Sequence, residues 1–317
     1  MVINFDSNIS SEQDNLWFRA EMTHRQFLAL SHKLSSCDIE NEILNLNFWA
    51  NKLSPAQHLD LKEVEKWLNN AWNTENVLVG NHSIIDNTGQ SFALQWAFPQ
   101  AYYSTFGTLL AHFKALGYTE YTHTAVLKKF GQLVCEKKLP ESICFYSTGS
   151  MKQVSFHNLT KPTNVKPMEI DVSNPKTIDN QICQFLKATR EIKLTTKAPD
   201  FKFKNNKGVA RKKLGSTHWK QVSDSIGHTT IMDLLYRKRI KANYEDIDTF
   251  TYEGFKGKDV LTNLNSIVSR LNLVNECYIS KAIGLEKFSN MCSRHLNRVE
   301  NQILADRLKV IKTIMTA

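Results

Sequence analysis

Nowhere in the 317 residues is there an apolar run long enough to cross a bilayer. The opening Met1-Val2-Ile3-Asn4-Phe5-Asp6 has neither the basic nor the apolar region of a secretory leader, so a cytoplasmic address without membrane attachment is the expectation. Several catalytic signatures are missing too. There is no Gly-x-x-x-x-Gly-Lys-Ser/Thr to cradle phosphates, no His-Glu-x-x-His to hold zinc on a helix, and no Gly-x-Ser-x-Gly nucleophile turn. The six cysteines, Cys37, Cys135, Cys144, Cys183, Cys277 and Cys292, form no paired motif and read as reduced, mostly buried thiols. Cys292 and His295 have a metal-like spacing, but a single such pair rarely makes a zinc site. Neither a metal nor a cofactor is expected. Repeats and low-complexity tracts are absent as well.

What is present is the composition of a folded protein: 42% hydrophobic against 22% charged residues, which excludes a disordered chain. The length allows one large domain or two modest ones. The net charge of +9 favours polyanionic partners. It is also localised. Between Leu186 and Lys220 lie eleven basic residues against Glu191 and Asp200, an excess of nine that equals the excess of the whole chain.

Periodicity predicts a mainly α protein. A first helix, with Ser10 and Ser11 as candidate caps, carries Leu16, Ala20, Phe27, Leu30 and Leu34 on one face. A second carries Ile39, Ile43, Leu46 and Trp49. A third has start signals at Pro55 and Asp60, followed by Leu61, Val64, Trp67, Leu68 and Trp72. Asp86-Asn87-Thr88-Gly89 reads as a turn. Beyond it Phe98, Tyr102, Phe106, Leu109, Phe113 and Leu116 form a long apolar stripe, with Pro99 at its first position or kinking it and Gly117 as the stop. Thr122 is placed to cap the next helix, with Val126, Leu127, Phe130, Leu133 and Val134 facing inward.

From about 139 to 217 the helical period breaks down, and prolines at 140, 162, 167, 175 and 199 punctuate the chain. Cys144 to Tyr146 and Met168 to Val172 have the alternation of strands, and a helix is expected around Ile178 to Leu194. Order returns with Ile231, Leu234 and Leu235. A long helix follows with Val260, Leu264, Ile267, Leu271, Val274 and Tyr278, which Gly284 ends or bends. A last amphipathic helix carries Leu285, Phe288, Cys292, Leu296, Val299, Ile303, Leu308 and Ile311.

The basic stretch interleaves Phe201, Phe203 and Trp219 with cations, the make-up that neutralises phosphates and stacks on bases. Its candidate nucleic-acid contacts are Lys202, Lys204, Lys207, Arg211, Lys212, Lys213, His218, Trp219 and Lys220. The alternative is a solvated loop whose lysines serve solubility.

Three segments resemble the HEPN superfamily, the higher eukaryote and prokaryote nucleotide-binding helical domains. Ala101-Tyr102-Tyr103-Ser104-Thr105-Phe106, with Leu109-Leu110, is similar to the family's opening helix. Tyr121-Thr122-His123-Thr124, leading to Leu127 and Phe130-Gly131, looks like its second. Leu234-Leu235-Tyr236-Arg237-Lys238-Arg239-Ile240-Lys241-Ala242-Asn243-Tyr244-Glu245-Asp246 resembles the branch whose third helix ends in Arg-x-Lys/Arg-Ala-Asp-Tyr. The resemblance covers roughly 91 to 138 and 229 to 283. It implies an antiparallel helical bundle, with an N-terminal helical region over 1–90, helices one and two over 91–138, a basic insertion with a small β element over 139–228, and helices three and four plus a C-terminal helix over 229–317.

In HEPN ribonucleases an Arg-x4-6-His motif faces its symmetry mate in a homodimer, arginine holding the phosphate and histidine transferring protons. Here Tyr244 stands where that histidine would be. A phenol near pKa 10 is a poor proton acceptor. The resemblance therefore implies RNA or nucleic-acid binding in a bacterial toxin-antitoxin or phage-defence setting. If there is metal-independent RNA cleavage, Arg239 would contact the phosphate while Asn243 and Tyr244 position substrate. On an ideal helix Tyr236, Arg239, Asn243 and Asp246 share one polar face, serving either to grip a phosphate or nucleotide or to form an Arg239–Asp246 pair with Asn243 as cap. Arg19 with His24 and Arg211 with His218 also fit the loose spacing, and the second pair would reach the cleft if its loop folds over the bundle. His112 and His123 are each either a satisfied core histidine or part of the cleft lining. The alternative function is a non-catalytic module whose C-terminal helix, through Leu296, Val299 and Ile303, holds a partner protein such as a nucleotidyltransferase or defence enzyme.

Overall fold

The computed structural model describes residues 12–50, 53, 59–88, 93–119, 121–151, 153–160, 170–204, 208–211, 213–252 and 256–317. Ser10, Ser11, Pro55, Gly89, Met168, Glu169, Lys207 and Lys212 lie outside them. Within the described residues the chain is mainly helical with one small antiparallel sheet. None of the described helices is long and apolar enough to cross a membrane.

Helix α1 (Glu12–Ser35) buries Ala20, Phe27, Leu30 and Leu34 on one face. The short α2 (Ile39–Leu44) and α3 (Asn47–Ala50) replace the single helix expected there. Helix α4 (Leu61–Thr88) starts where the Asp60 carboxylate accepts the backbone N–H groups of Lys62 and Glu63, at 2.9 and 3.2 Å. It runs on through Asp86, Asn87 and Thr88, where a turn was expected. The first residues of such a turn are nearly helical, and the flank of α4 against its neighbour carries the helix through them.

That neighbour is α5 (Ala93–Ala115), buried along most of its length and placed at the centre of the fold. Pro99 sits inside it, so the helix begins a turn and a half before the expected start. A Cβ on Gly107 would come within 3.0 Å of the Ala71 Cβ, which is why α4 and α5 approach so closely here. The end is a Schellman arrangement. Gly117 takes φ 87°, Tyr118 N–H donates to the Phe113 carbonyl at 2.9 Å, and their rings meet edge-on at 5.6 Å. Thr122 caps α6 (His123–Cys135) as expected, its hydroxyl accepting the Ala125 N–H at 3.3 Å.

Strands β1 (Tyr146–Ser150) and β2 (Gln153–His157) pair antiparallel from Tyr146 with His157 to Ser150 with Gln153. The sheet begins at Tyr146, the last residue of the first expected strand, and Met168 and Glu169 of the second lie outside the described residues. Cys144 and Phe145 are core residues just before the sheet, and Ile170 to Val172 is irregular. Just before the hairpin's turn Gly149 takes φ 94°, where an added Cβ would strike the Gln153 carbonyl.

The stretch expected as an insertion contributes a core helix, α7 (Pro175–Lys197), with Ile178, Ile182, Phe185 and Leu186 buried. It packs between α1, through Phe27 against Phe185 at 6.0 Å, and α9 (Ile231–Ile240), through Arg237 donating to Thr189 Oγ1 at 3.1 Å. Between them lies α8 (Ser216–Ile226). The buried Arg190 side chain holds the hairpin to this layer. It donates to the carbonyls of Gly149, Ser147 and Gly227 at 2.7, 3.3 and 2.9 Å, to Thr229 Oγ1 at 3.1 Å and to Ser223 Oγ at 2.9 Å.

After α10 (Ile247–Thr251) comes α11 (Gly257–Ile283), whose Val260, Leu264, Ile267, Leu271, Val274 and Tyr278 are all buried as periodicity predicts. It runs in the same direction as α5: Ser104 and Thr108 meet Asn272, and His112 further on meets Asn275. Helix α4 is antiparallel to both. It pairs Asn81 with Gln100 and Ala71 with Gly107 on one side, and Trp72 with Glu276 and Glu75 with Asn272 on the other. The antiparallel partner of α5 is thus α4, which the resemblance leaves outside.

The expected last helix breaks into α12 (Leu285–Leu296) and α13 (Gln302–Thr316), with Asn301 capping the second by accepting the Leu304 N–H at 3.0 Å. Leu304, Leu308, Ile311 and Ile314 face the chain's own core, and Leu296, Val299 and Ile303 are half-buried. The apolar face expected to meet a partner is thus partly covered by the chain itself, at Leu296, Val299 and Ile303. Arg307 explains the inward turn. It forks onto Glu75 at 2.6 and 2.7 Å and onto Glu276 at 2.9 Å, and Glu276 also accepts Trp72 Nε1–H at 2.8 Å.

Candidate nucleic-acid interface

Thr230 and Asp233 begin α9 with a capping box, and Lys193 fixes Asp233 from α7 at 2.6 Å. One turn on, Tyr236 and Arg239 project toward α5. The Arg239 guanidinium lies over three rings, Tyr103 at 5.0 Å, Tyr236 at 5.4 Å and Tyr102 at 5.6 Å. It makes no hydrogen bond and no ion pair among the described residues, and its buried Nε has no acceptor.

The N-terminus of α6 brings His123 to the same cluster. Its ring lies 4.5 Å from Phe106 and 5.7 Å from Tyr236, and its Nδ1 is 2.7 Å from the Tyr102 hydroxyl. Burial, and next the Arg239 charge, lower the imidazole pKa below its ordinary value. Burial raises that of the Tyr102 phenol. Tyr102 therefore keeps its proton and shares a hydrogen bond with Nδ1, and the imidazole lies within electrostatic reach of the Arg239 guanidinium. His112, by contrast, is a core histidine: Nδ1–H donates to Asn275 Oδ1 at 3.0 Å and the ring stacks on Tyr278 at 5.1 Å.

The other expected site residues on this helix part company with Arg239. A π turn over Lys241–Glu245, closed by Asp246 N–H donating to the Lys241 carbonyl at 2.9 Å, shifts the helical phase. Asp246 goes to Arg19 at 2.9 Å and to Lys241 at 3.6 Å, so the Arg239–Asp246 pair does not form. Asn243 is half-buried with its Oδ1 unpartnered, and Tyr244 is 70% exposed. Asp246, not Asn243, ends the turn. Arg19 is spent on Asp246, and His24 lies between Glu21 and Asp259, so that pair builds no cleft.

The basic stretch is more occupied than its charge suggests. Arg190 is buried, Lys193 pairs with Asp233 and Lys197 with Asp200 at 2.8 Å. Phe201 and Phe203 stack on each other at 5.3 Å, and His218 packs edge-on against Phe203 at 4.7 Å while accepting the Gly215 N–H at 3.2 Å. His218 thus belongs to its own loop and does not join Arg239. Arg211 donates to the Lys204 carbonyl at 3.0 Å. Lys202, Lys204, Lys213 and Lys220 are exposed, and Trp219 is half-buried.

Cys292 is buried and His295 Nδ1 bonds Asn69 at 2.9 Å, so their spacing serves packing. Among the described residues no group of three or more His, Cys, Asp or Glu is placed to hold a metal ion. Of the two histidines left open between core and cleft lining, His123 is the one beside Arg239, 116 positions before it; its pairing with Tyr102 is what the sequence did not show. No family model, no curated protein and no solved structure matches this chain.

Proposed function

We propose that this chain is a nucleic-acid-binding protein, HEPN-like in its three motifs, that grips a phosphodiester with Arg239 and His123. The observation that carries the reading is a guanidinium with five donors that makes no hydrogen bond among the described residues and is held among three tyrosines. A planar fork so placed is organised for a phosphate before the ligand arrives, and Tyr103, 37% exposed, adds a ring for a neighbouring base. The toxin or phage-defence setting follows from the resemblance.

The same geometry favours binding over cleavage. A general base at the ribose 2′-hydroxyl must present a free lone pair, and Nδ1 of His123 is already engaged with the Tyr102 hydroxyl. The lowered pKa also works against an imidazolium acid. Asn243 and Tyr244 lie within the π turn, out of helical phase with Arg239, which also speaks against a part in proton transfer.

The test is fluorescence anisotropy with a labelled twelve-nucleotide RNA at low salt. Arg239→Ala should weaken binding about tenfold or more, as expected for a lost charged hydrogen bond worth roughly 1.5–3 kcal/mol. Arg239→Lys should restore only part of it, since an ammonium cannot fork. An unchanged Kd for Arg239→Ala would remove the reading.

A further inference from the structure

Helices α5 and α6 contain no aspartate or glutamate, although together they carry Lys114, Lys128, Lys129, His112 and His123. Partly buried cations elsewhere in the fold face carboxylates, as Lys33 does Asp179 and Lys193 does Asp233. On this edge they face aromatic rings instead. Lys114 Nζ lies 4.5 Å from the Tyr121 ring and Lys129 Nζ lies 4.2 Å from the Tyr118 ring. None of Lys114, Lys128 and Lys129 has an ion pair or a hydrogen bond from its ammonium among the described residues. The three ammonium groups thus keep charge for a ligand, although Lys129 also lies within electrostatic reach of Glu136.

Beside them is a cleft of about 270 Å³, floored by the buried Phe113 and Val126, walled by Tyr118 and rimmed by Lys128, Lys129 and Gln132. Its apolar floor and cationic rim suit a flat ring that carries a negative charge. The edge begins at the Arg239 cluster. Tyr103, under the guanidinium, and Lys114 lie on one helix eleven residues apart, or about 16 Å at 1.5 Å per residue. Tyr121, 63% exposed, sits between the His123 end of α6 and the Lys114 ammonium.

We propose that a single-stranded polynucleotide lies along this α5–α6 edge, its phosphates on Arg239, Lys114 and Lys129 and a base in the cleft against Tyr118. The proposal rests on the phosphate-binding reading of Arg239 and names the route and the strandedness of its ligand. Cations alternating with exposed rings track a backbone and stack on unpaired bases, whereas a duplex hides its base faces. This edge, and not the basic stretch from Leu186 to Lys220, is the binding surface, because the rings of that stretch pack on one another.

The experiment measures labelled U12, dT12, UUU and a twelve-pair duplex against wild type, Arg239→Ala, Lys114→Ala/Lys129→Ala and Lys213→Ala/Lys220→Ala, over a range of salt. Circular dichroism melts check that each variant folds. For U12, Lys114→Ala/Lys129→Ala should raise Kd about tenfold or more and flatten the log Kd against log salt slope by about 1.4, at about 0.7 per phosphate contact on a single strand. UUU should respond to Arg239→Ala alone, and Lys213→Ala/Lys220→Ala should leave U12 binding near wild type. Binding of U12 and dT12 alike, or of one alone, supports the track and says whether the 2′-hydroxyl is read. If Lys114→Ala/Lys129→Ala leaves U12 unchanged while Arg239→Ala weakens it, the track falls and the phosphate site stands. If neither variant matters, both fall. A duplex held as tightly as U12 overturns the single-strand assignment.

Discussion

At the scale of single residues, two histidines on neighbouring helices have opposite fates because of what surrounds each. His112 is enclosed by Asn275 and Tyr278, and burial pushes its pKa down from 6.5 to about 4. The unfolded chain then takes up a proton first as the solution is acidified. The stability contributed by this group is whole above pH 6.5 and is lost as pH falls toward 4, by at most about 3 kcal/mol. Urea midpoints at intervals from pH 7.5 to 4 should show that decline, and His112→Gln should flatten it. A separate loss belongs to Glu21, whose carboxyl is held at about 2 by the neighbouring His24 and then by Arg25 and Lys256, and it appears only as pH falls from 4.5 toward 2. Arg239 was legible in the sequence as part of a motif. That its neighbours would be His123 and three tyrosines was not, because the phase shift at Lys241–Glu245 and the approach of α6 are products of tertiary packing.

At the scale of elements, periodicity carried the long helices: α4, α5 and α11 each hide the stripe that their spacing defines. Short elements were harder. Strand β2, Gln153-Val154-Ser155-Phe156-His157, has only two apolar residues, and its pairing is imposed by the Gly149 turn and by Arg190. The α12–α13 break was invisible because Leu296, Val299 and Ile303 keep helical spacing across it, while the stop comes from Asn301 and the pull of Arg307. The role of Arg190 can be checked directly. Arg190→Leu would leave the carbonyls of Gly149, Ser147 and Gly227 without their donor, at a cost on the order of 3 kcal/mol. Hydrogen exchange should then quicken across 146–157 and leave α4 and α11 protected, whereas uniform exchange would show that the hairpin is not docked through this side chain.

At the scale of the whole molecule, Arg307 joins three helices far apart in sequence, through Glu75 on α4 and Glu276 on its own neighbour α11. Two buried carboxylates share one cation, and burial, opposed by Arg307, raises the Glu276 pKa. Arg307→Met would leave uncompensated charge in the interior and should cost about 3–5 kcal/mol in a urea melt. Adding Glu276→Gln should recover a large part of that loss, and failure to do so would mean that Arg307 stabilises by packing alone. The localised charge of the sequence pointed to polyanions, but several of the cations counted between Leu186 and Lys220 hold the fold together, so the excess overstates what that stretch offers a ligand.

Because α5 and α11 lie side by side in one direction, the groove on α5 that takes α11 is filled late during synthesis. His112 and Asn275 are 163 residues apart, so at roughly 5–20 residues per second a ribosome needs on the order of 10–30 s to deliver the second after the first. Through that interval Ser104, Thr108 and His112 await partners that do not yet exist. The nascent α4–α5 hairpin is therefore the stage at which this chain most needs a chaperone's cover.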